Sequence, residues 1–436
     1  MKEICGVLKK YFPLGKRRFI LAALLVNIVG GSFFSFPALN SSPQPSGETP
    51  DYYKPYLKLL KEVYTLMDKN YYKPVSEKVY KAFVEKYKQC VLSKLREKKK
   101  MINKIAYIGA GLLVNRLRDP EDTFTNFIPP KKAKKYSQKV YGYENGIGIS
   151  GYLTEKGYVI DHVQIRSDAY QKGIKSGDII LKIDDHPVTS LSKEEIKGYL
   201  YPPLGTTVKL EIFSPPKKTT SVYKVLCKKY FIETIKNIPT GMPGIYYLKI
   251  KSFNRKTADD LKDYIRRFGE SNIDLLIIDL TDNPGGPPLA VVELSGIFLP
   301  PKTKMVYYEK KNIPKFGLVA PPSDVHYDGA LIILVNKKSG SASEILAGIF
   351  KAYHRALIMG KSSTAGFAFL KTTFTLENGC MLTMIVGKAY LFNGTPLDRR
   401  GVTPDYIISN DVKDITRFVF DKIKSGELDS WVSRHQ

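Results

Sequence analysis

The feature that most constrains the fold is an alternation of strand-like and helical segments in the second half of the chain. The strand-like runs are GIYYLKI, IDLLIIDL and GALIILVN, and the helical segments are LKDYIRRF, LAVVELSGIF and SEILAGIFKAY. Strands that alternate with helices form a sheet covered by helices. We therefore predict an α/β core domain over 231–415, followed by a C-terminal amphipathic helix over 416–436.

Two other regions precede this core. Residues 51–136 are predicted to be mainly helical, because apolar residues recur there at positions i, i+3, i+4 and i+7. Residues 143–230 have short alternating strands separated by glycine-centred turns, with one capped helix, SKEEIKGYL. A chain of 436 residues has room for these separate domains.

The N-terminal fifty residues indicate a membrane anchor. Residues 1–18 are basic, residues 19–39 are apolar over the length that a bilayer core requires, and residues 40–50 form a Pro/Ser-rich linker. A basic flank keeps the N-terminus on the cytoplasmic side. We expect a single-pass inner (cytoplasmic) membrane protein whose bulk is extracytoplasmic, in the periplasm; the competing interpretation is a cleaved signal peptide.

Charge and cysteine content exclude little. Lys and Arg number 68 against 42 Asp and Glu, a net charge of +26, but the basic residues are scattered and no nucleic-acid motif accompanies them. We therefore predict no nucleic-acid partner, and binding driven by charge alone ranks last among the hypotheses. Cys5, Cys90, Cys227 and Cys380 lack metal-ligand spacing, so neither zinc nor another cofactor is expected.

The second region resembles a bacterial PDZ domain. It contains the glycine-rich loop GIGISG, followed at the right interval by AYQKGIKSGDIILKIDDHPV. Successive amides in such a loop form a nest for a terminal carboxylate, and the strand edge beyond accepts an extended peptide. The resemblance assigns peptide binding to Gly146, Ile147, Gly148 and Ile149. The alternative for the two isoleucines is an ordinary place in the strand core.

The third region resembles the S41-type core of carboxy-terminal processing peptidases, from about Gly244 to Asp405. Three stretches carry the likeness in the family's order: IDLLIIDLTDNPGGPPLAVVELSGIFLP, VNKKSGSASEILAGIFKAYHRALIMG and NGTPLDRRGVTPD. The resemblance implies a serine peptidase that acts on C-terminal tails of proteins. The predicted fold class is thus multidomain: membrane anchor, helical segment, PDZ-like β-rich domain and α/β peptidase core.

The same resemblance places the nucleophile at Ser341, on a tight turn that enters a helix. A hydroxyl at a helix N-terminus benefits from the helix dipole as negative charge develops. The N–H of Ala342 and one from Gly285 or Gly286 would form the oxyanion hole. Capping of the helix is assigned to Ser343 with Glu344.

The general-base lysine of the family is missing. The stretch that carries it reads SSTAGFAFLKTT here, and the lysine position falls on Gly366 without a gap or on Phe367 with one inserted residue. Lys371 is predicted as a relocated base if the segment from Phe367 is helical, since four residues on lies on the same helix face. Lys361 is a weaker candidate, and a histidine, His326 or His354, is a further alternative.

Two functions from different classes follow. The first is a serine-type endopeptidase that selects extracytoplasmic proteins with apolar C-termini and forms an acyl-Ser341 intermediate. The second is an inactive pseudopeptidase that binds protein C-termini as an adaptor or scaffold. The two differ in one respect: whether some group near the Ser341 hydroxyl accepts its proton.

Overall fold

A computed structural model describes residues 54–88, 102–428 and 431 of the protein. These residues form two compact units. The first consists of the described residues up to 133 together with 371–386, and the second of 134–370 together with 387 onward.

The first unit is largely helical. A buried polar centre fixes its loops: the Tyr71 hydroxyl donates to Asp122 Oδ2 at 2.7 Å, and Asp122 Oδ1 accepts the N–H of Thr125 at 2.9 Å. Residues 381–383 pair antiparallel with the strand that begins at Asn126. The elements from 54 to 141 are α1 (Lys54–Asn70), α2 (Glu77–Tyr87), α3 (Ile102–Leu117), β1 (Asn126–Ile128) and α4 (Pro130–Tyr141).

The predicted fold class needs one correction, and the predicted location falls with it. Among residues 54–88 and 102–428, no helix combines the length and the apolar composition that crossing a bilayer demands. The N-terminal membrane anchor is therefore unsupported as part of the fold, and so is the single-pass inner-membrane location. The segment predicted to span, 19–39, lies outside the described residues.

The second unit begins with a small antiparallel β domain. Its main sheet has the order β3–β4–β5–β7–β8, with β6 paired to β5, and β2 pairs separately with β9. Its elements are β2 (Tyr143–Gly146), β3 (Ile149–Thr154), β4 (Gly157–Val163), α5 (Asp168–Gln171), β5 (Ile179–Ile183), β6 (His186–Pro187), α6 (Lys193–Leu200), β7 (Thr207–Ser214), β8 (Thr219–Leu226) and β9 (Lys228–Phe231). Strand β3 is thus an edge strand.

The remainder of the second unit contains the predicted α/β core. Its sheet has the order β10–β11–β12–β15–β16–β19, parallel from β11 onward, with β10 antiparallel at one edge. The elements are β10 (Ile235–Ile238), β11 (Ile245–Ile250), α7 (Thr257–Phe268), β12 (Leu275–Asp279), α8 (Pro288–Ser295), β13 (Lys304–Lys310), β14 (Ile313–Val319), β15 (Ala330–Val335), α9 (Ala342–Ala352), β16 (Leu357–Gly360), β17 (Phe369–Thr375), β18 (Met381–Leu391), β19 (Tyr406–Ile407) and α10 (Ile415–Lys424).

Both faces of this sheet are covered by apolar residues. Leu276 and Ile278 of β12 belong to the cluster that contains buried residues of α7, α8 and α9. The alternate residues Leu275 and Ile277 belong to a second cluster that includes Val419 of α10. Such burial on both sides explains why β12 and β15 read as continuous apolar runs in the sequence. The β13 strand lies apart from this sheet, between β14 and residues 387–391 of β18.

Candidate active site and peptide groove

Three neighbouring parallel strands deliver the candidate active site to one edge of the sheet. Strands β12, β15 and β16 lie side by side. In a parallel sheet the carboxyl ends of adjacent strands meet at a common edge. The loop 280–287, the turn 336–341 and the segment 361–367 therefore converge there, although they are separated by up to about eighty residues along the chain.

Ser341 has an unusual backbone conformation. Its φ is 53° and its ψ is −113°, outside the regions that non-glycine residues normally occupy. Ser341 itself is the N-cap residue of α9, and its N–H donates to Glu344 Oε2 at 2.8 Å. The assignment of the cap to Ser343 is therefore wrong: Ser343 lies inside the helix, and its hydroxyl donates to the carbonyl of Asn283 at 3.0 Å.

The glycine loop lies directly against the Ser341 turn. Gly285 has a φ of 99°, and a Cβ placed on it would lie 2.8 Å from Ser341 Cβ and 2.9 Å from the nitrogen of Ala342. Only glycine leaves that space open. The buried Asn283 fixes the loop, because its carbonyl accepts the N–H of Gly340 at 3.0 Å and its amide donates to the carbonyl of Ile250 at 2.9 Å.

The three predicted oxyanion donors differ in availability. The N–H of Gly285 donates to Asn283 Oδ1 at 2.8 Å and is therefore engaged. Within the described part of the chain, the N–H groups of Ala342 and Gly286 have no acceptor. Gly286 is exposed, whereas Ala342 is buried beside the Ser341 turn. These two amides are the ones left to bind an anionic oxygen.

The Glu344 carboxylate ties the nucleophile turn to the segment after β16. Oε1 accepts the Thr364 hydroxyl at 2.7 Å and the N–H of Gly366, while Oε2 accepts the N–H groups of Ser341 and Phe367, each at 2.8 Å. The side chain is fully buried. Burial raises the pKa of the Glu344 carboxyl above its ordinary value, although these hydrogen bonds act in the opposite direction.

Phe367 stands beside the candidate nucleophile. Because its N–H and that of Ser341 share one oxygen of Glu344, the two nitrogens lie no farther apart than the sum of those two hydrogen-bond lengths. Both positions that alignment gives for the family lysine, 366 and 367, are therefore next to Ser341. Neither side chain can accept a proton. The Phe367 side chain is 49% exposed, so it lies at the surface of the site.

The candidate bases occupy different places. The helix from Phe367 that Lys371 would need in order to act as base is not present. Residues 369–375 form strand β17, and Lys371 lies on that strand with an exposed side chain. The amine of Lys361 donates to the carbonyls of Asn410 and Val412, away from the nucleophile turn.

Neither histidine is suited to the role. His354 follows the far end of the eleven-residue helix α9, roughly 16 Å from the end that Ser341 caps. His326 Nε2 lies 2.8 Å from Asp328 Oδ1. In the described part of the second unit, no lysine or histidine hydrogen-bonds to the Ser341 hydroxyl.

The predicted peptide-binding loop lies at the start of β3. Gly146 and Ile147 are buried, and the N–H of Ile147 donates to the carbonyl of Leu200 at 3.1 Å, which engages that amide. The N–H of Gly148 has no acceptor among the described residues, but Gly148 is buried and does not line the neighbouring groove. Both isoleucines belong to the domain core, and Ile149 also lines this groove of about 440 Å³ between β3 and α6.

Sequence reasoning missed two residues that shape the site, Asn283 and Thr364. Thr364 joins two segments, because its hydroxyl donates to Glu344 and accepts the N–H of Val402 at 2.7 Å. The position of Asn283 directly before Pro284-Gly285-Gly286 was a signal for its role. No sequence signal pointed to the shared oxygen of Glu344, since it joins residues more than twenty positions apart.

Comparison with known proteins identifies two domains in this chain. Residues 244–408 match peptidase family S41, and residues 137–213 match the PDZ domain. The chain is 28% identical over 313 residues to carboxyl-terminal-processing peptidase 2, chloroplastic, of Arabidopsis thaliana, spanning 69% of this chain and 60% of that protein. It is 24% identical over 311 residues to the carboxyl-terminal-processing protease of a Picosynechococcus species, spanning 70% of this chain and 73% of that protein.

One solved structure shows a likeness of fold, and a second is reported as a match alone. The tricorn protease matches with a TM-score of 0.50 and 17% identity, over 88% of this chain and 37% of that one. The photosystem II D1 C-terminal processing protease matches with a TM-score of 0.47 and 20% identity, over 82% of this chain and 94% of that one.

The fold and the site thus define an S41-type serine peptidase domain joined to a PDZ domain. The predicted resemblance to carboxy-terminal processing peptidases is confirmed, because the chain matches both the S41 peptidase and the PDZ models and is similar to proteins that bear that name. Members of this family are hydrolases, and the pairing of a PDZ domain with a peptidase domain fits protein or peptide substrates.

Proposed function

We propose that this chain is a serine peptidase that holds protein C-terminal tails in its PDZ groove and cleaves them through Ser341. The observation that carries the proposal is the backbone of Ser341. A conformation so unfavourable for serine persists only where the surrounding contacts over-determine it, and such positions cluster at active sites. Here Glu344, Asn283 and Gly285 supply those contacts.

The proposed reaction is acyl transfer. The Ser341 hydroxyl attacks the scissile carbonyl and loses its proton to a base, while the N–H groups of Ala342 and Gly286 stabilise the oxygen that becomes negative. The protonated base then donates to the leaving amine, and water hydrolyses the acyl-Ser341 ester. Lys371 is our candidate base on its place in the sequence alone, and Lys361 is excluded because its amine is engaged elsewhere. Lysine accepts a proton only as the neutral amine.

Tail binding follows from the shape of the groove. The edge strand β3 offers backbone groups to an extended peptide, and we assign the terminal carboxylate to the N–H of Gly148, which has no acceptor among the described residues. Ile149, Ile196 and Leu200 are buried residues that line the groove. They favour an apolar terminal side chain.

A second function is favoured by Phe367. This side chain occupies a position adjacent to Ser341 where the family places its base, and phenylalanine cannot take up a proton. If no other group replaces it, the chain binds tails without cutting them and acts as an adaptor.

One assay separates the two functions. The full chain is incubated with an unstructured protein that ends in an apolar tail, and new termini are followed by mass spectrometry. The peptidase hypothesis expects cleavage that Ser341→Ala abolishes and that Lys371→Ala reduces at least 100-fold, in the range for loss of a general base. Lys361→Ala is the matched control and should leave the rate unchanged. Binding without cleavage supports the adaptor, and cleavage by Ser341→Ala refutes the site.

A further inference from the structure

Two lysines form one wall of the peptide groove. Lys193 and Lys197 lie one turn apart on α6, both side chains are exposed, and both line the groove opposite β3. Residues four apart on a helix project from the same face. A peptide lying along β3 would therefore pass both ammonium groups.

These charges are not neutralised within the domain. Among the described residues, neither lysine has a carboxylate within 4 Å. Two acids lie between them on α6. Glu195 Oε2 accepts the N–H and the hydroxyl of Ser192, both at 2.7 Å, in a capping box, and Glu194 has an exposed side chain. Glu194 does not line the groove.

The opposite wall contributes little negative charge. The groove-lining residues of β3 are Ile149, Ser150, Gly151, Tyr152 and Leu153, none of them acidic. One carboxylate of β4 contacts this wall but does not itself line the groove: Asp161 Oδ1 accepts the hydroxyl of Ser150 at 2.9 Å. The groove therefore has an apolar floor and a cationic helix wall.

We propose that the groove selects C-terminal tails that carry acidic side chains within the four residues before an apolar terminal residue. The apolar residue packs on Ile149, Ile196 and Leu200, while aspartate or glutamate upstream pairs with Lys193 and Lys197. The inference rests on the proposed tail binding and names the substrate class. Charge complementarity of this kind contributes mainly to specificity and to the rate of association.

The test uses the full chain and fluorescent decapeptides. All peptides end in the same apolar residue and differ only at the upstream positions, which are acidic, amide or lysine. Binding is followed by fluorescence anisotropy at low salt and at 0.5 M NaCl. The acidic peptide should bind roughly 3- to 10-fold more tightly than the amide peptide, since exposed ion pairs are individually modest. The preference should shrink at high salt because such pairs are screened.

Charge reversal provides the matched comparison. Lys193→Glu combined with Lys197→Glu should reverse the preference toward the lysine peptide. The control combines Lys217→Glu with Lys224→Glu, two exposed lysines of the same domain that lie outside the groove. This control should not reverse the preference.

Each outcome decides a different point. Equal affinity for the three peptides overturns the inference. An acidic preference that persists after charge reversal of Lys193 and Lys197 also overturns it. Both results leave the proposed tail binding intact. If no peptide binds, the proposed tail binding fails as well. Because the readout is binding, none of these results depends on catalysis at Ser341.

Discussion

Replacing Glu344 by glutamine tests the network that shapes the nucleophile turn. The change keeps the size of the side chain but converts one carboxylate oxygen into an NH₂ group, which cannot accept a hydrogen bond. Four donors point at the two oxygens in the native structure: the N–H groups of Ser341, Gly366 and Phe367, and the hydroxyl of Thr364.

The expected loss in free energy of unfolding depends on which of the two oxygen positions the new NH₂ group takes. With NH₂ at the Oε2 position, the N–H groups of Ser341 and Phe367 would both lose their acceptor. With NH₂ at the Oε1 position, only the N–H of Gly366 would lose its acceptor. The Thr364 hydroxyl can rotate and accept a hydrogen bond from the NH₂ group instead. The second orientation is preferred and leaves one buried donor unsatisfied. That costs about 1–3 kcal/mol of the free energy of unfolding.

Thermal unfolding of the full chain measures this cost, with Glu270→Gln as a matched control because Glu270 is exposed. We expect a lower Tm for Glu344→Gln by several degrees and no shift for the control. Any peptidase activity should lose kcat more than KM changes, since the residue positions the turn and does not touch substrate. An unchanged Tm together with an unchanged kcat would refute the role of this carboxylate.

Two further predictions concern the same turn. Phe367→Lys places an amine beside Ser341, and we expect the rate of tail cleavage to rise at least tenfold. Adding Ser341→Ala to this variant should abolish the gain. If the rate does not rise, the placement of residue 367 beside the nucleophile is contradicted. Gly285→Ala should lower the free energy of unfolding by about 1–3 kcal/mol more than Gly241→Ala. Both glycines have positive φ, but the new methyl group meets atoms only at 285. Equal losses in denaturant titrations would argue against the close packing of the loop.

The architecture of the core was predictable because its cause is local. Continuous apolar runs such as 275–279 and 330–335 occur where a strand is buried on both faces, and amphipathic helices between them have to cover the sheet. The order of the motifs along the chain then placed Ser341 and Gly285 after neighbouring strands. Their convergence follows from the parallel topology alone.

The rest of the site depends on contacts between distant residues. The same letters, SASE, fit a cap at Ser341 or at Ser343, and only the partner of each hydroxyl or amide decides between them. A helix after Phe367 was a condition for Lys371 to act as base, but 369–375 is a strand that pairs with β18, and such pairing is decided outside the segment itself. The hydrogen bonds from the Lys361 amine to the carbonyls of Asn410 and Val412 could not be predicted from local sequence patterns either.

The central claim is that the Ser341 hydroxyl is the nucleophile, and trapping the acyl intermediate tests it most directly. The full chain is mixed with an activated ester of a peptide that has an acidic, apolar tail. The reaction is quenched in acid within seconds, and the modified residue is located by tandem mass spectrometry. We predict an acyl group on Ser341 that is absent from Ser341→Ala. Acylation of another residue such as Ser339, or ester turnover that continues unchanged in Ser341→Ala, would contradict the claim.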